Sequence, residues 1–533
     1  MNKILLAAVV SFNLTAPAIA DSLSVVVKER LTGKYHTIEV PAGELNSLRN
    51  SDQYLSVEPN RWVSIPTPQQ YEIPQTLDAN NKSQKQFAQG TRRIIEPTAP
   101  EYSWLYSWQS QTLYPGSSEI NQAVNKSFKH KRLRIAVIDG GFNEYQDIPW
   151  RVEEGHNFFQ AFGQTINPQW RSLDDINACE TGHGNAVGAI IGATRDNNLG
   201  IAGILDADLI PIRAFECNMA RLTDIADAIR YAAGEQVDSA PTIAKVDIIN
   251  ISSEAFNGTC PNYLQEAIDL AITKDIQIYA SAGNSNTQVS EKCQGVALVA
   301  ASDQQALKWQ DSNFGEVVDF TVAGYDVMSY NFKNNVGWWE GTSFATPNAV
   351  GIHGLAKQHT PESTHAEIIN IMKKTAQSMS TNISSNAQDC SGNRCGAGLL
   401  NASKMMDVVV SNSINSNYLL RHALMQSDSC DQQLFVSHLG NETRLCKLYE
   451  VVIDQSGIVS EHNIQIFKVL KGLVFNELNA ELISESKQTI ALLENIQPSE
   501  YDYGVKRCQS EECDQAPIVP ISHVEAISPA FCQ

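Results

Sequence analysis

A serine in the middle of the chain stands where an acyl-transfer reaction would place its nucleophile. Ser343 lies among small residues in GTSFATP (341–347), directly before an apolar helical pattern. A serine in this setting is either a helix cap or a nucleophile, because the free N–H groups of a helix start stabilise both. A nucleophile also needs a general base held by a carboxylate, and donors that bind the developing oxyanion. Partners elsewhere in the chain therefore decide between the two interpretations.

Three other residues are candidates for those partners. Asp139 ends the apolar run RIAVID (134–139), His183 stands between glycines in GHGNAVG (182–188), and Asn284 follows a small-residue turn. A carboxylate, an imidazole and a carboxamide could orient a base, move a proton and stabilise an oxyanion. Each residue taken alone also has an ordinary interpretation, as a turn residue, a helix cap or an exposed side chain. Their value as candidates depends on the fold that positions them.

The region that contains these residues alternates apolar, β-branched runs with amphipathic patterns. This alternation predicts an α/β fold, a doubly wound parallel sheet with helices on both faces. The predicted strands are 132–139, 209–215, 246–252, 276–283, 295–302 and 316–324, and the predicted helices include 185–193, 222–236 and 262–274. Functional groups in such sheets gather at the carboxyl ends of the strands. Asp139 and Asn284 both stand at such ends.

The motifs around the four residues occur in an order that is typical of one family. VIDGG (137–141), GHGNAVG, ASAGN (280–284) and GTSFATP together resemble the subtilisin-like serine peptidases. Three further segments agree with that family. They are similar to its substrate-edge strand, to the segment before its serine and to its closing motif: IINISS (248–253), SNFGEVVDFTVAG (312–324) and GAGLLNA (396–402). The resemblance covers roughly residues 100–405 and implies the subtilisin-like fold.

The resemblance implies a role for each candidate in a serine endopeptidase. Ser343 would attack the scissile carbonyl, His183 would take its proton, and Asp139 would orient the imidazole. The Asn284 carboxamide and the backbone N–H of Ser343 would form the oxyanion hole. A substrate would add to the site as an extended strand. The implied substrate-binding residues are Ser252, Ser253, Ser281, Ala282 and Gly283.

The sequence departs from the family pattern near the implied triad. Gly140 follows the aspartate where Ser or Thr is usual, so no hydroxyl is available there to hold the Asp139 carboxylate. Asn185 lies in a G-N-A-V-G segment where G-T-x-V-A is commoner, and Asn348 stands where a histidine often follows the proline. No triad member is lost. The first departure bears on how firmly the aspartate is held.

Calcium is the one metal that the resemblance raises. The family frequently binds it near a loop like 194–203, in which Asn197 matches a side-chain ligand, and Asp147 resembles the carboxylate that completes the site. Oxygen ligands of this kind suit calcium, although a plain Asn-rich turn is the alternative interpretation. No cofactor is expected for the chemistry itself.

The flanking regions suggest export and processing. The first 20 residues have a cationic start, a short apolar run and an A-x-A site, the pattern of a signal peptide, so we expect a secreted protein, extracellular or periplasmic. Residues 21–95 occupy the place of an inhibitory propeptide, with a processing site guessed near Arg92 and Arg93. The peptidase domain is expected at 96–408. A β-rich, cysteine-containing domain of unknown role is expected at 409–533.

Composition and charge restrict the partners. The net charge of −20 and the pI of about 5.0 disfavour nucleic acid as a partner, because phosphate binding relies on clustered Lys and Arg. No later apolar run approaches the length of a membrane span. Eleven cysteines suit an exported protein, and the spacings of Cys390 with Cys395 and of Cys508 with Cys513 would allow small disulfide loops. The expected partners are protein or peptide substrates.

Two other functions are alternatives to a peptidase. A catalytically silent, peptide-binding relative would have no need to keep Asp139, His183, Asn284 and Ser343 together. An esterase could use the same triad, but the chain lacks the G-x-S-x-G elbow of the usual esterase scaffold.

Overall fold

The computed structural model describes most of the chain between the N-terminal segment and the C-terminal strands. The described ranges are 22–65, 105–127, 131–159, 169–171, 182–216, 218–238, 240–331, 333–379, 390 and 394–411, with backbone alone for 69–72, 412–417 and the strands between 418 and 526. The predicted signal peptide and the Arg92–Arg93 site lie outside these residues.

The N-terminal region forms a small α+β unit. Its elements are β1 (Ser22–Glu29), β2 (Tyr35–Pro41), α1 (Leu45–Arg49) and β3 (Tyr54–Pro59), and the strands pair antiparallel in the order β2-β1-β3. Because side chains alternate across a strand, Val25 and Val27 enter a core of this unit while Val26 packs against the main domain. Two strands follow, β4 (Trp62–Ser64) and β5 (Gln69–Glu72).

The main domain is built on a seven-stranded parallel sheet. Its elements in chain order are α2 (Ile120–Lys126), β6 (Leu133–Asp139), β7 (His156–Asn157), α3 (His183–Gly192), β8 (Ala207–Arg213), β9 (Met219–Arg221), α4 (Leu222–Ala232), β10 (Ile248–Ile251), α5 (Asn262–Thr273), β11 (Gln277–Ser281), β12 (Val296–Ser302), β13 (Phe320–Ala323), β14 (Val327–Tyr330), β15 (Val336–Glu340), α6 (Thr342–His359), α7 (His365–Thr375) and α8 (Ala402–Asn417). The order across the sheet is β13-β12-β11-β10-β6-β8-β7.

Helices cover both faces of this sheet. Alternate residues of β6 enter two separate cores, Ile135 and Val137 in one, and Ala136 and Ile138 in the other. The first core also holds apolar side chains of α3, α6 and α8, and the second holds those of α4 and α5. A strand buried on both faces must be apolar at every position, which explains the continuous β-branched runs in the sequence.

The C-terminal region is rich in strands. They are β16 (Tyr418–Gln426), β17 (Leu434–His438), β18 (Asn441–Ile453), β19 (His462–Leu470), β20 (Glu481–Ser486), β21 (Ile490–Glu494), β22 (Tyr501–Gln509), β23 (Val519–Pro520) and β24 (Val524–Ala526). They pair in the orders β17-β18-β16-β24, with β21 on β18, and β20-β19-β22-β23.

The predicted fold class is confirmed, with an α/β main domain, an α+β N-terminal region and a β-rich C-terminal region. Within the described residues, disulfides join Cys260 to Cys293 and Cys390 to Cys395, with Cα–Cα distances of 5.0 and 5.2 Å. Cys513, the partner expected for Cys508, lies outside them. Over the same residues, no helix combines the length and apolar character of a membrane span.

Candidate active site

Asp139 and His183 meet at the carboxyl edge of the sheet. Asp139 is the last residue of β6 and His183 is the first residue of α3, and their side chains are 0% and 1% exposed. Asp139 Oδ1 lies 2.8 Å from His183 Nδ1, a hydrogen-bond distance. Because the carboxylate accepts, Nδ1 carries the proton in the neutral ring and Nε2 has a free lone pair. Within the described residues Nε2 has no hydrogen-bond partner.

A glycine stands at position 140, where Ser or Thr is usual in the family, for a steric reason. The backbone N–H of Gly140 donates to Asp139 Oδ1 at 2.7 Å, so the residue still holds the carboxylate. A Cβ at this position would come 2.7 Å from the carbonyl oxygen of Phe215, closer than real Cβ contacts. A Ser or Thr would therefore not fit beside Phe215. The backbone hydrogen bond holds Oδ1, whereas Asp139 Oδ2 has no hydrogen-bond partner among the described residues.

Ser343 is the second residue of α6, and a proline in this helix leaves the Ser343 carbonyl without its usual helical hydrogen bond. Pro347 has no N–H to donate to the carbonyl four residues earlier, which is that of Ser343. The hydroxyl of Ser252, just past β10, donates to this carbonyl at 2.8 Å instead. In return, Ser343 Oγ donates to the carbonyl of Ser252 at 3.0 Å. This reciprocal pair fixes the start of α6 to the end of β10.

The structure brings Ser343 beside the Asp139–His183 pair without a hydrogen bond to it. Phe344, the next residue, packs its ring 5.3 Å from the imidazole of His183, centroid to centroid. The hydroxyl of Ser343 faces the Ser252 carbonyl rather than His183 Nε2. Catalytic hydrogen bonds are often long or absent in a protein without substrate.

Asn284 lies against the same helix start, and a neighbour orients its amide. Its Oδ1 accepts from the backbone N–H of Thr342 at 3.0 Å and from the Thr342 hydroxyl at 2.7 Å. The amide nitrogen is therefore the group left to donate. The Thr342 hydroxyl also accepts from the N–H of Gly283 at 3.1 Å, which ties the turn after β11 to α6.

The residues implied in substrate binding lie in the two segments that contain Ser252 and Asn284. Ser252, Ser253, Ser281, Ala282 and Gly283 are all buried. The hydroxyl of Ser253 donates to the backbone carbonyl of Ser64 at 3.1 Å, and the Ser281 hydroxyl has no partner in the described residues.

The N-terminal region provides the strand that lies beside these residues. β4 pairs antiparallel with β9, and Ile65 donates its N–H to the Asn218 carbonyl at 2.7 Å. β5 pairs antiparallel with β15, directly before Ser343. The N-terminal chain thus adds strands at two places that flank the start of α6.

Asp147 and Asn197 are brought together, but their contacts do not suit calcium. Asn197 presents its amide N–H to Asp147 Oδ1, while its own oxygen accepts from the N–H of Leu199. The hydroxyl of Tyr330, buried at the end of β14, donates to Asp147 Oδ2 and accepts from the N–H of Ile201 at 3.4 Å. These oxygens are paired with hydrogen-bond donors, whereas calcium needs several free ones. The two residues as they stand do not fit the ion, and we derive no role for it.

Two carboxylates near the site have altered pKa values. Burial raises the pKa of Glu254, which follows the Ser252–Ser253 segment. Burial first, and then the charges of Asp326 and Asp311, raise the pKa of Glu340 to about 7. Neutralisation of Glu340 near neutral pH lowers the negative charge just before the helix that carries Ser343.

A family model decides the classification. The model described as "Subtilase family" (Peptidase S8), a family of serine-type endopeptidases, matches residues 130–398. The chain belongs to the subtilase family. The matched range contains Asp139, His183, Asn284 and Ser343.

Curated relatives of this subtilase are proteases. An extracellular protease of Xanthomonas campestris pv. campestris is 28% identical over 311 residues, 53% of this chain and 51% of that protein, so the chain spans about half the length of this relative. A thermostable alkaline protease of Halalkalibacterium halodurans is 29% identical over 274 residues, 50% of this chain and 69% of that protein. Subtilisin Savinase of Lederbergia lenta is 25% identical over 285 residues, 52% and 93% of the two chains.

Solved structures share the fold of the subtilase. A protease from Pseudoalteromonas arctica PAMC 21717 has a TM-score of 0.52 and 25% identity, covering 59% of this chain and all of that one. The epidermin leader peptide processing serine protease of Staphylococcus aureus has a TM-score of 0.51 and 16% identity, covering 73% and 98%. The second likeness concerns the fold alone.

Sequence reasoning missed residues that act through their neighbours. Thr342 is part of the GTSFATP motif, but its residue type alone did not predict that it orients Asn284. Asn313 was inside a quoted segment as well, and its Oδ1 accepts from the N–H groups of Ser285 and Thr287 at 3.0 and 2.9 Å. A polar residue between apolar segments was the only available signal.

Proposed function

We propose that this subtilase is a secreted serine endopeptidase that hydrolyses peptide bonds of proteins. The observation that carries the proposal is the buried Asp139–His183 hydrogen bond, which leaves the imidazole Nε2 free next to the segment of Ser343. A binding module has no use for a buried, oriented imidazole with an open lone pair. The family membership of the chain supports the same reaction.

In the proposed mechanism, Ser343 exchanges its hydrogen bond with the Ser252 carbonyl for one to His183 Nε2. His183 takes the hydroxyl proton as Ser343 attacks the scissile carbonyl, and later gives this proton to the leaving amine. Asp139 keeps Nδ1 protonated and stabilises the imidazolium. Water then attacks the acyl-enzyme: His183 takes a proton from the water, the bond to Ser343 Oγ breaks, and His183 returns the proton to Oγ.

The oxyanion of the tetrahedral intermediate would be bound by two donors. The Asn284 amide nitrogen is one, because its oxygen is occupied by Thr342. The backbone N–H of Ser343 is the other, because an N–H in the first turn of a helix has no carbonyl of that helix to bond. Both donors belong to segments that the Thr342 hydroxyl ties together, so little reorganisation is needed during the reaction.

The N-terminal region is proposed to inhibit the enzyme until it is removed. Its strands β4 and β5 add to β9 and β15 on either side of the start of α6, and Ser253 bonds to β4 rather than to a substrate. A segment that adds as a strand uses the main-chain groups that an extended substrate would use. The N-terminal signal pattern, together with a relative that is named an extracellular protease, supports secretion.

The function is tested by incubating the purified protein with casein and with a serine-directed phosphonate. Casein should be degraded, the phosphonate should stop the degradation, and mass spectrometry should find the label on Ser343. Other buried serines such as Ser329 should stay unlabelled. Degradation that the phosphonate does not affect, or a label at another residue, would refute the proposed nucleophile.

Replacing Asn284 by alanine should lower kcat by about 10²- to 10³-fold and change KM little, because its amide binds the oxyanion of the transition state and not the ground-state carbonyl. Steady-state kinetics on a peptide substrate give both constants. Asn286→Ala is the matched control, since this nearby Asn bonds Lys308 at 3.0 Å and lies outside the proposed oxyanion hole. A rise in KM with an unchanged kcat would count against the role.

A further inference from the structure

A cavity of about 590 Å³ lies next to the proposed catalytic residues. On one side it is lined by Glu254 and Asn257, which follow β10, and on the other by residues of the 285–291 loop, which follows β11. Residues Trp62–Ser64 of the N-terminal region also line it. The walls therefore come from the two segments that hold Ser252 and Asn284 and from the strand in the proposed substrate position.

Glu254 lines this cavity, and its carboxylate packs against Gly283. Its Oε2 lies 2.3 Å from where a Cβ of residue 283 would stand, so only a glycine at 283 leaves room for the carboxylate. Gly283 has a φ of +101° and directly precedes Asn284. Glu254 itself is two residues from Ser252, which bonds Ser343. A carboxylate is thus packed against the backbone of the proposed oxyanion loop.

Two side chains in the cavity wall, Glu254 and Asn257, have acceptors that no described residue pairs. No described residue pairs with the Glu254 carboxylate or donates a hydrogen bond to it. Asn257, also in the wall, donates its amide N–H to the Ala282 carbonyl at 2.8 Å, and its Oδ1 accepts from no described residue. None of the described residues that line the cavity is Lys, Arg or His. A half-buried carboxylate with no cation nearby is costly unless a ligand supplies the positive charge.

We propose that this cavity receives a lysine or arginine side chain of the substrate, on the acyl side of the scissile bond, and that Glu254 selects it. This inference rests on the proposed peptidase function and names its substrate class. A long cationic side chain extends from a strand in the β4 position into the cavity, and its ammonium or guanidinium group pairs with Glu254. Burial raises the Glu254 pKa in the free protein, and a bound cation opposes that shift.

The test uses two peptides that differ only in the residue on the acyl side of the scissile bond, lysine in one and norleucine in the other. Norleucine keeps the length of the side chain and lacks the charge. The wild-type protein should hydrolyse the lysine peptide with the higher kcat/KM. Glu254→Gln should lower kcat/KM for the lysine peptide by about 10- to 100-fold, the range expected for a charge-assisted hydrogen bond, and leave the norleucine peptide nearly unchanged. Active sites are counted by phosphonate titration.

The matched control is Glu362→Gln, an exposed glutamate that does not line the cavity. It should keep the lysine preference of the wild type. Equal hydrolysis of both peptides by the wild type, or a lysine preference that survives Glu254→Gln, overturns the inference and leaves the peptidase function intact. If neither peptide is cleaved and Ser343 is not labelled, the proposed function fails and the inference falls with it.

Discussion

Replacing Ser343 by alanine is expected to lower kcat by on the order of 10⁶-fold, the loss found when the nucleophile of subtilisin, another member of this family, is removed. The variant keeps the oxyanion donors and the cleft, but it cannot form an acyl-enzyme. The residual rate then comes from binding and from the oxyanion hole alone. Casein degradation should become undetectable, and single-turnover assays with an activated ester should show no burst.

The structural cost of this substitution should be small. Ser343 Oγ makes one hydrogen bond, to the Ser252 carbonyl, so its loss should reduce the free energy of unfolding by about 1 kcal/mol. Ser329→Ala is the matched control, because Ser329 is fully buried and its hydroxyl donates to the Ala186 carbonyl at 2.7 Å. The control should show a similar change in stability with normal kcat. Ser343→Ala turnover within tenfold of the control would exclude the nucleophile role.

Replacing Asp139 by asparagine is expected to lower kcat by about 10⁴-fold at neutral pH with little change in the fold. The Gly140 N–H and His183 Nδ1 both contact Oδ1, so an amide nitrogen in place of this oxygen gives up the Gly140 hydrogen bond and points an N–H toward His183 Nδ1. Nδ1 must then accept a hydrogen bond, so the proton of the neutral ring moves to Nε2. An imidazole with a protonated Nε2 cannot take the proton of Ser343.

Asp147→Asn separates this tautomer effect from the loss of any buried carboxylate. Asp147 is as buried as Asp139 and is hydrogen-bonded to Tyr330, but it takes no part in the proposed reaction. Its variant should be less stable in thermal unfolding and keep kcat within a few-fold of the wild type. Similar kcat values for the two variants would show that Asp139 acts only through stability.

The parallel sheet and the residues at its edge could be predicted from the sequence because each signal is local. Six apolar runs predicted strands of the sheet, and the strand of 132–139 ends at Asp139 in both the prediction and the structure. The two-residue strand β7 was missed, since two residues carry no periodicity. The helix predicted at 185–193 begins two residues earlier, at His183. The start of a helix depends on backbone geometry, which a glycine-rich sequence does not reveal.

Contacts between distant segments were beyond the sequence. The reciprocal hydrogen bonds of Ser252 and Ser343 join residues 91 positions apart, and the Thr342 contact that orients Asn284 spans 58. The steric reason for Gly140 was also hidden, because the sequence does not show the Phe215 carbonyl beside it. The pairing of Asp147 with Tyr330 was hidden in the same way, since 183 positions separate them. Local patterns predict elements, whereas these details depend on how the elements pack.

The Tyr330 hydroxyl joins the 194–203 loop to the rest of the fold through a group of the chain itself. Stabilisation by a dissociable ion grows with the concentration of that ion relative to its dissociation constant, so it is lost on dilution or chelation. A hydroxyl group of the chain cannot dissociate, so its effective concentration at the contact is fixed by the fold. Through Tyr330, the segment of Asp147 and the backbone at Ile201 are joined to the end of β14 by a group that cannot diffuse away. This contact therefore does not depend on the concentration of any dissolved ligand.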